Sequence, residues 1–257
     1  MNLTNVQRTK DYLGLVTTGS DGVIAQLIAR ASVQVVKWCS NPFQHVAYSL
    51  SPLDGTGSAR MRVPNTPIIS VSAVMVGGIA VAASPDGIVA GYQYDDKYLY
   101  LFGGYRFPTG FRNVPVSYVA GFTSSETDFI PIAPGPYTVT PTTDGYAIVD
   151  NGVTFVATGV ALTLVGGVPI TGQYSFANGV YTYAAADTTK AVTMAYDYAP
   201  GPVEQAVIEM VGGDLKQRDN LGIASKTLRD ETVTYTDKAM SNSVQGLLWP
   251  YRKVVPI

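Results

Sequence analysis

The residue types that carry most enzyme chemistry are scarce in this chain. It contains a single histidine, His45, and a single cysteine, Cys39. A Ser–His–Asp or Cys–His arrangement would have to use His45, but no G-x-S-x-G or similar nucleophile motif accompanies it. We therefore interpret His45 as a partly exposed strand residue, and a hydrolase that uses it is the less favoured alternative. The same two counts exclude an intrachain disulfide, a cysteine-based metal site and most histidine-based metal sites.

The acidic and glycine-rich segments do not supply a catalytic centre either. Asp95 and Asp96 are adjacent, and adjacent residues on a strand point to opposite faces, so they form a poor acid–base pair and suit a turn or strand edge better. The segments "VMVGGIAV" and "TLVGGVPI" lack the lysine and the spacing of a phosphate-binding loop. We therefore predict no catalytic residue, no cofactor and no metal site, and expect that the protein is not an enzyme.

The composition favours a structural role. Hydrophobic residues make up 46% of the 257 residues and charged residues only 14%, which predicts extensive burial, some of it between subunits. The net charge of −2 does not indicate binding to nucleic acid or to an acidic membrane. The N-terminus lacks the apolar core of a signal peptide, and the long uncharged stretches are broken by proline and Gly-Gly, so we predict no membrane helix.

The charge is unevenly distributed along the chain. Residues 123–200 contain six acidic residues and one lysine, a balance of −5, so the remaining residues carry +3 to give the net −2. This asymmetry supports a separate middle module.

Helical periodicity is concentrated near the two ends of the chain. Thr4 and Gln7 have the spacing of a capping box that opens a short helix ending near Gly14. A longer helix is predicted to follow Ser20 or Asp21 and to end before Asn41-Pro42. The segment "PVEQAVIEMVGGDLKQR" predicts another helix, which we expect to pack on the long one.

The rest of the chain has the two-residue period of β-strands. From His45 onwards, alternating segments lead through a predicted Gly77-Gly78 hairpin turn to "NVPVSYVAGF". Between residues 123 and 200, short alternating segments recur with Asn-Gly or Gly-Gly between them, which is typical of a small β-sandwich or barrel. The clearest hairpin is "YSFANGVYTY", because Asn-Gly supplies both residues of a type I′ turn.

Six segments in the chain resemble one protein family in their order and spacing. They are "KDYLGL", "DGVIAQLIARAS", "VPNTPIISVSAVMVGG", "YLYLFGGYRFPTGFRNVPVSYVAGF", "PVEQAVIEMVGGDLKQRDNLGIASKTLRDETVTYT" and "LLWPYRKVVPI". The set resembles the head-to-tail connector proteins of tailed bacteriophages, also called adaptor or head-completion proteins. The resemblance covers residues 1–122 and 201–257. Most of the family pass from the strand end to the next helix through a short proline-containing loop, whereas here residues 123–200 intervene.

The resemblance and the periodicity together predict an α+β fold. Residues 1–122 and 201–257 would form a helical connector core with a β-hairpin or sheet region, and residues 123–200 would form an inserted all-β, sandwich-like domain. We expect the insert to fold independently at the periphery and to face the capsid, the tail or a neighbouring subunit.

The resemblance implies a structural virion protein of a bacteriophage. It would assemble as a homo-oligomeric ring, commonly a dodecamer, beneath the portal protein, connect the head to the tail and extend the DNA channel. The implied partners are the portal and a tail-side connector, terminator or tail protein, with packaged DNA passing without specific binding. The implied location is the head–tail neck of the virion, after assembly in the cytoplasm of the host bacterium, with no membrane.

The C-terminal segment supplies the candidate site. Tryptophan, tyrosine and arginine dominate the energetics of protein interfaces, so we predict portal-facing anchors in this segment, although Trp249 would look the same in sequence if it packed on its own subunit. The candidates are Leu247, Leu248, Trp249, Tyr251 and Arg252.

The tyrosine content supports an alternative function. A carbohydrate- or surface-binding module of a phage tail or baseplate protein would use exposed aromatic rings, for which Tyr174, Tyr181 and Tyr183 are the candidates. Tyrosines on strands more often form cross-strand pairs, so this remains the second hypothesis.

Overall fold

The computed structural model describes residues 1–132, 134–217, 225–228, 231–234 and 240–253. The chain divides into two compact units, one built from Met1–Ser40 and Ser125–Arg252 and the other mainly from Asn41–Ser124. We call the first the helical–β unit and the second the β unit.

The secondary structure within the described residues is as follows. The helices are α1 (Val6–Leu13), α2 (Asp21–Cys39), α3 (Gly201–Gln217) and α4 (Asn242–Leu248), with 3₁₀ turns at Ala185–Asp187 and Trp249–Tyr251. The strands are β1 (Val46–Gly55), β2 (Arg60–Arg62), β3 (Ile68–Val76), β4 (Ile79–Val81), β5 (Gly91–Tyr94), β6 (Tyr98–Phe102), β7 (Gly110–Ala120), β8 (Thr123–Phe129), β9 (Thr138–Val139), β10 (Gly145–Phe155), β11 (Thr163–Leu164), β12 (Gln173–Ala177), β13 (Val180–Tyr183), β14 (Ala191–Pro200), β15 (Ser225–Leu228) and β16 (Glu231–Thr234).

The β unit contains two sheets, ordered β1-β7-β3-β4 and β2-β6-β5. Central strand β7 includes most of the "VPVSYVAGF" motif, and its alternation is confirmed because Val114, Val116, Tyr118 and Ala120 are all buried. The predicted Gly77-Gly78 turn is also confirmed, since both glycines have positive φ between β3 and β4. The period of two therefore identified the buried face of this sheet correctly.

The helical–β unit contains a sheet ordered β10-β14-β8 and another ordered β11-β12-β13-β9. Its hairpin β12–β13 turns at Asn178 and Gly179, with φ of 52° and 77°, which confirms the predicted Asn-Gly turn. Gly179 is required there because a Cβ would lie 2.5 Å from the Tyr146 ring. The core beneath these strands is rich in tyrosine, and Tyr181 and Tyr196 are completely buried.

The predicted helices are present, with one correction at a helix end. Gly14 caps α1 in the left-handed conformation, and α2 ends at Cys39, as predicted. The predicted capping box is wrong: Asn5 is the N-cap of α1 and accepts the Arg8 backbone N–H, whereas the Thr4 hydroxyl donates to Glu204. A tertiary hydrogen bond thus outweighed the local motif.

Helices α2 and α3 pack together, as predicted. The buried positions recur at helical spacing on both helices. They are Ile24, Ile28, Ala31, Val35 and Cys39 on α2, and Val203, Ala206, Val207, Met210 and Val211 on α3.

The predicted fold class, with a helical connector core, is wrong. The described fold is mostly β. Its strands, which form several sheets, outnumber its helices. Residues 41–122 lie in the two-sheet β unit, which has its own buried apolar cluster. Helical periodicity marks individual helices, but it does not show whether they or the sheets form most of the core.

The predicted boundary between a core and an insert at residues 122 and 200 stays a prediction. In the structure, β14 ends at Pro200 and α3 begins at Gly201 without a loop. The β-strands that follow residue 125 belong to the same compact unit as the helices.

Candidate functional site

The C-terminal segment is held on the helical–β unit by a short helix and a turn. Ser241 caps α4, its hydroxyl oxygen accepting the Val244 backbone N–H at 3.2 Å. Val244 and Leu248, four residues apart, are buried, and α4 packs on α3. The Ser243 hydroxyl donates to Glu209 of α3 at 3.2 Å. These contacts fix the position at which the chain leaves α4.

Arg252 lies close to two tryptophan rings, those of Trp38 and Trp249. Its guanidinium carbon is 5.2 Å from the centroid of the Trp38 ring and 5.9 Å from that of Trp249, which is within the range of a cation–π interaction. The backbone N–H of Arg252 donates to the Trp249 carbonyl at 3.3 Å. Trp38 lies in the last turn of α2, so Arg252 joins the C-terminal segment to that helix.

The five predicted anchor residues lie together but differ in exposure. Leu248 is completely buried and Trp249 is 67% exposed, while Leu247 and Tyr251 are half-buried and Arg252 is exposed. Leu248 therefore packs inside its own unit, and the accessible part of the segment is centred on Trp249. An exposed tryptophan held in place by a cation is suited to non-covalent recognition of a protein surface.

Burial is the main cause of the pKa shifts of the titratable groups Cys39 and Tyr198 near the C-terminal segment. Burial raises the pKa of the Cys39 thiol to about 12, although the nearby Arg252 charge acts in the opposite direction. A thiol with so high a pKa is a poor nucleophile near neutral pH. The pKa of Tyr198 is raised first by burial and further by the proximity of Asp144 and Tyr251. The Cys39 thiol is therefore suited to packing and not to nucleophilic attack.

His45, Asp95 and Asp96, which were considered for enzyme chemistry, all lie in the β unit. His45 is exposed directly before β1. Asp95 lies in the turn between β5 and β6, as expected, and accepts the backbone N–H groups of Lys97 and Tyr98, both at 2.7 Å. Among the described residues, no group of three or more histidine, cysteine, aspartate or glutamate side chains could hold a metal ion.

The tyrosines of the alternative carbohydrate-binding function are not exposed, which corrects that expectation. Tyr174, Tyr181 and Tyr183 are each at most 2% exposed. Tyr174 donates to Asp150 at 2.6 Å, and Tyr181 donates to the Ala195 carbonyl at 3.3 Å. The three tyrosines lie on strands β12 and β13, and the sequence did not show which face of these strands is covered.

Sequence reasoning missed the contact between Trp38 and Arg252. Trp38 lies on α2 and is half-buried in the structure. Nothing in the sequence links positions more than 200 residues apart. The segment "VVPI", residues 254–257, which ended the C-terminal motif, lies outside the described residues.

No protein-family model matches this chain, and no curated protein matches it. Its fold is similar to a chain in a solved structure described as the neck of an empty GTA particle computed with C6 symmetry, with a TM-score of 0.38 and 12% sequence identity. The similarity covers 99% of this chain and 92% of that chain. Within the part of the chain that the structure describes, no helix is both long and apolar enough to cross a membrane.

Proposed function

We propose that the protein is a structural, non-enzymatic component of a tailed-bacteriophage virion that connects the head to the tail. In this proposal it forms a homo-oligomeric ring beneath the portal protein, commonly of twelve subunits, and extends the channel through which DNA passes. It would assemble in the cytoplasm of the host bacterium and remain in the head–tail neck. The starting point is the ordered resemblance of residues 1–122 and 201–257 to connector proteins.

The observation that carries the proposal is the exposed Trp249 on an otherwise well-anchored C-terminal segment. Leu248 and Val244 are buried, and Arg252 lies within cation–π distance of Trp38. Most large aromatic side chains of a monomeric protein are largely buried, so a tryptophan ring that remains 67% exposed favours a partner. The portal is the partner that the resemblance implies for this segment.

The near-neutral charge is compatible with a DNA channel. A surface that must let DNA slide should avoid dense lysine and arginine, because phosphate contacts would retain the DNA. The 17 basic and 19 acidic residues of the chain meet this requirement. Packed DNA would therefore pass without specific binding, and the tail-side partner would bind the opposite face of the ring.

The test is co-purification with the portal protein of the same virion. We expect wild-type protein to bind the portal and Trp249→Ala to lose at least about tenfold in affinity, which is the effect of a hot-spot residue. The matched control is Tyr12→Ala, since Tyr12 is an exposed aromatic on α1, 57% exposed. Equal binding by wild type and Trp249→Ala would contradict the anchor, and no binding by wild type would contradict the function. Negative-stain images of the complex would give the number of subunits.

A further inference from the structure

The charge of the exposed Arg252 guanidinium is not neutralised by a carboxylate of the described residues. None of the ion pairs among those residues includes Arg252, and its side chain donates no hydrogen bond to any of them. The guanidinium carbon instead lies 5.2 Å from the centroid of the Trp38 ring and 5.9 Å from that of Trp249. An aromatic ring attracts a cation but offers it no lone pair, so the N–H donors of Arg252 are available to an acceptor from outside.

The two chain segments that meet at Arg252 contain basic residues and no acidic residue. Residues 22–40 and residues 240–253 contain two basic residues each, and neither segment contains aspartate or glutamate. Lys37, the neighbour of Trp38 in the chain, is exposed. The charge of these segments is therefore positive, although the whole chain carries −2, and it is complementary to a partner that presents carboxylates.

The acidic residues on neighbouring elements make other contacts. Glu209 of α3, the helix on which α4 packs, accepts the Ser243 hydroxyl at 3.2 Å. Asp144 lies near Tyr198, whose pKa is raised first by burial and further by the Asp144 charge. Neither carboxylate forms an ion pair with Arg252. The described part of the chain therefore does not supply the anion that Arg252 would bind.

We propose that Arg252 and Trp249 together bind an acidic segment of the portal protein. A carboxylate of that segment accepts two parallel N–H groups of the guanidinium, which is the geometry that this pair of groups favours. An apolar side chain next to the carboxylate packs on the Trp249 ring, which is 67% exposed and offers a large apolar surface. The identity of the partner rests on the proposed function, whereas its chemistry follows from the charge and exposure of these two residues.

The exposed ring favours a protein over DNA as the ligand. Duplex DNA keeps its bases inside the stack and presents mainly phosphates and sugars, which would leave the Trp249 ring without an apolar contact. Binding to a duplex also relies on many cations at once. The two segments contain only four basic residues, and one of them, Arg30, already pairs with Asp214. A carboxylate beside an apolar side chain uses both Arg252 and Trp249.

The first test measures the affinity of the portal protein for wild type, Arg252→Gln and Arg252→Lys by biolayer interferometry. We expect Arg252→Gln to bind at least about tenfold more weakly than wild type. Arg252→Lys keeps the charge but not the planar fork, so its affinity should lie between the two. The matched control is Arg106→Gln, which should bind like wild type, because Arg106 is an exposed arginine of the β unit.

The salt dependence of the same binding separates recognition from a structural role. Salt screens exposed charges, so the affinity of wild type should decrease as the salt concentration rises from about 0.05 to about 0.5 M. The affinity of Arg252→Gln should decrease less over this range, because the screened contact is already lost. If Arg252 only held the segment against Trp38, the substitution would weaken binding without changing its salt dependence.

The second test needs no portal protein. The chain contains two tryptophans, and both lie near Arg252, so their fluorescence reports binding at this surface. The probes are an acetylated hexapeptide of alternating glutamate and leucine and the same peptide with glutamine in place of glutamate. We expect only the glutamate peptide to change the fluorescence of wild type, and we expect Arg252→Gln to lose this response.

Four results would overturn the inference. They are portal binding by Arg252→Gln equal to that of wild type, weaker binding by Arg252→Gln with an unchanged salt dependence, a fluorescence response to the glutamate peptide no larger than that to the glutamine peptide, and a response to duplex DNA of about 20 base pairs but not to the glutamate peptide. The last result would assign the surface to nucleic acid.

The two tests also distinguish this inference from the proposed function. Portal binding that depends on Trp249 but not on Arg252 would overturn the inference and leave the proposed function standing. A response to the glutamate peptide that requires Arg252, in a wild type that does not bind the portal, would leave the carboxylate site standing and contradict the proposed function.

Discussion

Arg8 of α1 and Glu204 of α3 form a two-pronged ion pair that joins two distant parts of the chain. Nε of Arg8 lies 2.6 Å from Oε1 of Glu204, and Nη2 lies 2.7 Å from Oε2. The Thr4 hydroxyl also donates to Oε1 at 2.9 Å, and Glu204 is only 5% exposed. The hydrogen bond to Glu204 is the main cause that raises the Arg8 pKa. The pair therefore fixes the N-terminus of the chain against the start of α3.

Replacing Arg8 by methionine should destabilise the helical–β unit. The substitution leaves the Glu204 carboxylate buried without its cation, which costs about 3–5 kcal/mol for fully buried pairs. Since the Arg8 side chain is 44% exposed, we expect about 2–3 kcal/mol after allowance for solvent screening. Urea denaturation measures the loss. Arg30→Met is the control, because the Arg30–Asp214 pair is more exposed and should contribute less than about 1 kcal/mol. Equal losses in the free energy of unfolding for the two variants would contradict the argument that the Arg8–Glu204 pair contributes more because Glu204 is buried.

Two buried tyrosines should respond differently to loss of their hydroxyls. The Tyr183 hydroxyl has no hydrogen-bond partner among the described residues, so Tyr183→Phe removes an unsatisfied polar group and should be neutral or stabilising. Tyr174 donates to Asp150 at 2.6 Å, so Tyr174→Phe should cost about 1–3 kcal/mol. The free energy of unfolding of both variants is the measurement. A loss for Tyr183→Phe as large as that for Tyr174→Phe would indicate a hidden partner for Tyr183.

The glycine that follows β7 should not tolerate a side chain. Gly121 has φ of 148°, and a Cβ there would lie 2.5 Å from the Cα of His45. Gly121→Ala should therefore lower thermal stability or abolish soluble expression. Gly213→Ala is the opposite case: this glycine lies inside α3 with no atom within 4 Å of an added Cβ, and alanine should stabilise it by about 0.5–1 kcal/mol. Thermal melts of both variants test whether Gly121→Ala lowers the Tm and Gly213→Ala raises it.

The stability of the fold should fall at high pH. Burial raises the pKa of Tyr118 and of Tyr146 to about 12 from the ordinary value of 10.0. Between these values the folded chain keeps protons that the unfolded chain has released, so the free energy of unfolding decreases as pH rises. The stabilisation that each of these tyrosines provides is complete below pH 10 and is lost as the pH rises from 10 to 12. The free energy of unfolding falls by up to about 1.4 kcal/mol per pH unit for each group. Urea titrations across this window should show a shallower slope for Tyr118→Phe. A flat profile in wild type would contradict the burial argument.

Deletion of residues 125–199 tests the predicted insert. The sequence predicts that a folded, ring-forming remainder survives. In the structure the Asn5 side chain donates to the Asn178 carbonyl at 2.9 Å, and Arg8 lies 5.8 Å from the Tyr146 ring, so the deletion removes contacts with the start of α1. From these contacts we expect reduced helical signal by circular dichroism and a lower Tm. An unchanged, cooperative helical transition would support an independent insert.

The predictions from sequence are confirmed where residues close together in the chain decide the structure. Asn178-Gly179 specifies its turn through backbone conformation alone, and the alternation through Tyr118 specifies one buried face of β7. Both depend on residues within a few positions of each other. The capping prediction at Thr4 failed for the opposite reason, because its hydroxyl bonds to Glu204, 200 residues away.

The sequence by itself determined the positions of the helices, the period of the strands, the presence of only one histidine and one cysteine and the resemblance to connector proteins. Only the tertiary structure decided that the fold is mostly β, that Tyr174, Tyr181 and Tyr183 are buried while Trp249 is exposed, and that Arg252 lies within cation–π distance of both Trp38 and Trp249. The physical reason is that periodicity shows that one face of an element is apolar, whereas burial depends on which distant element covers that face.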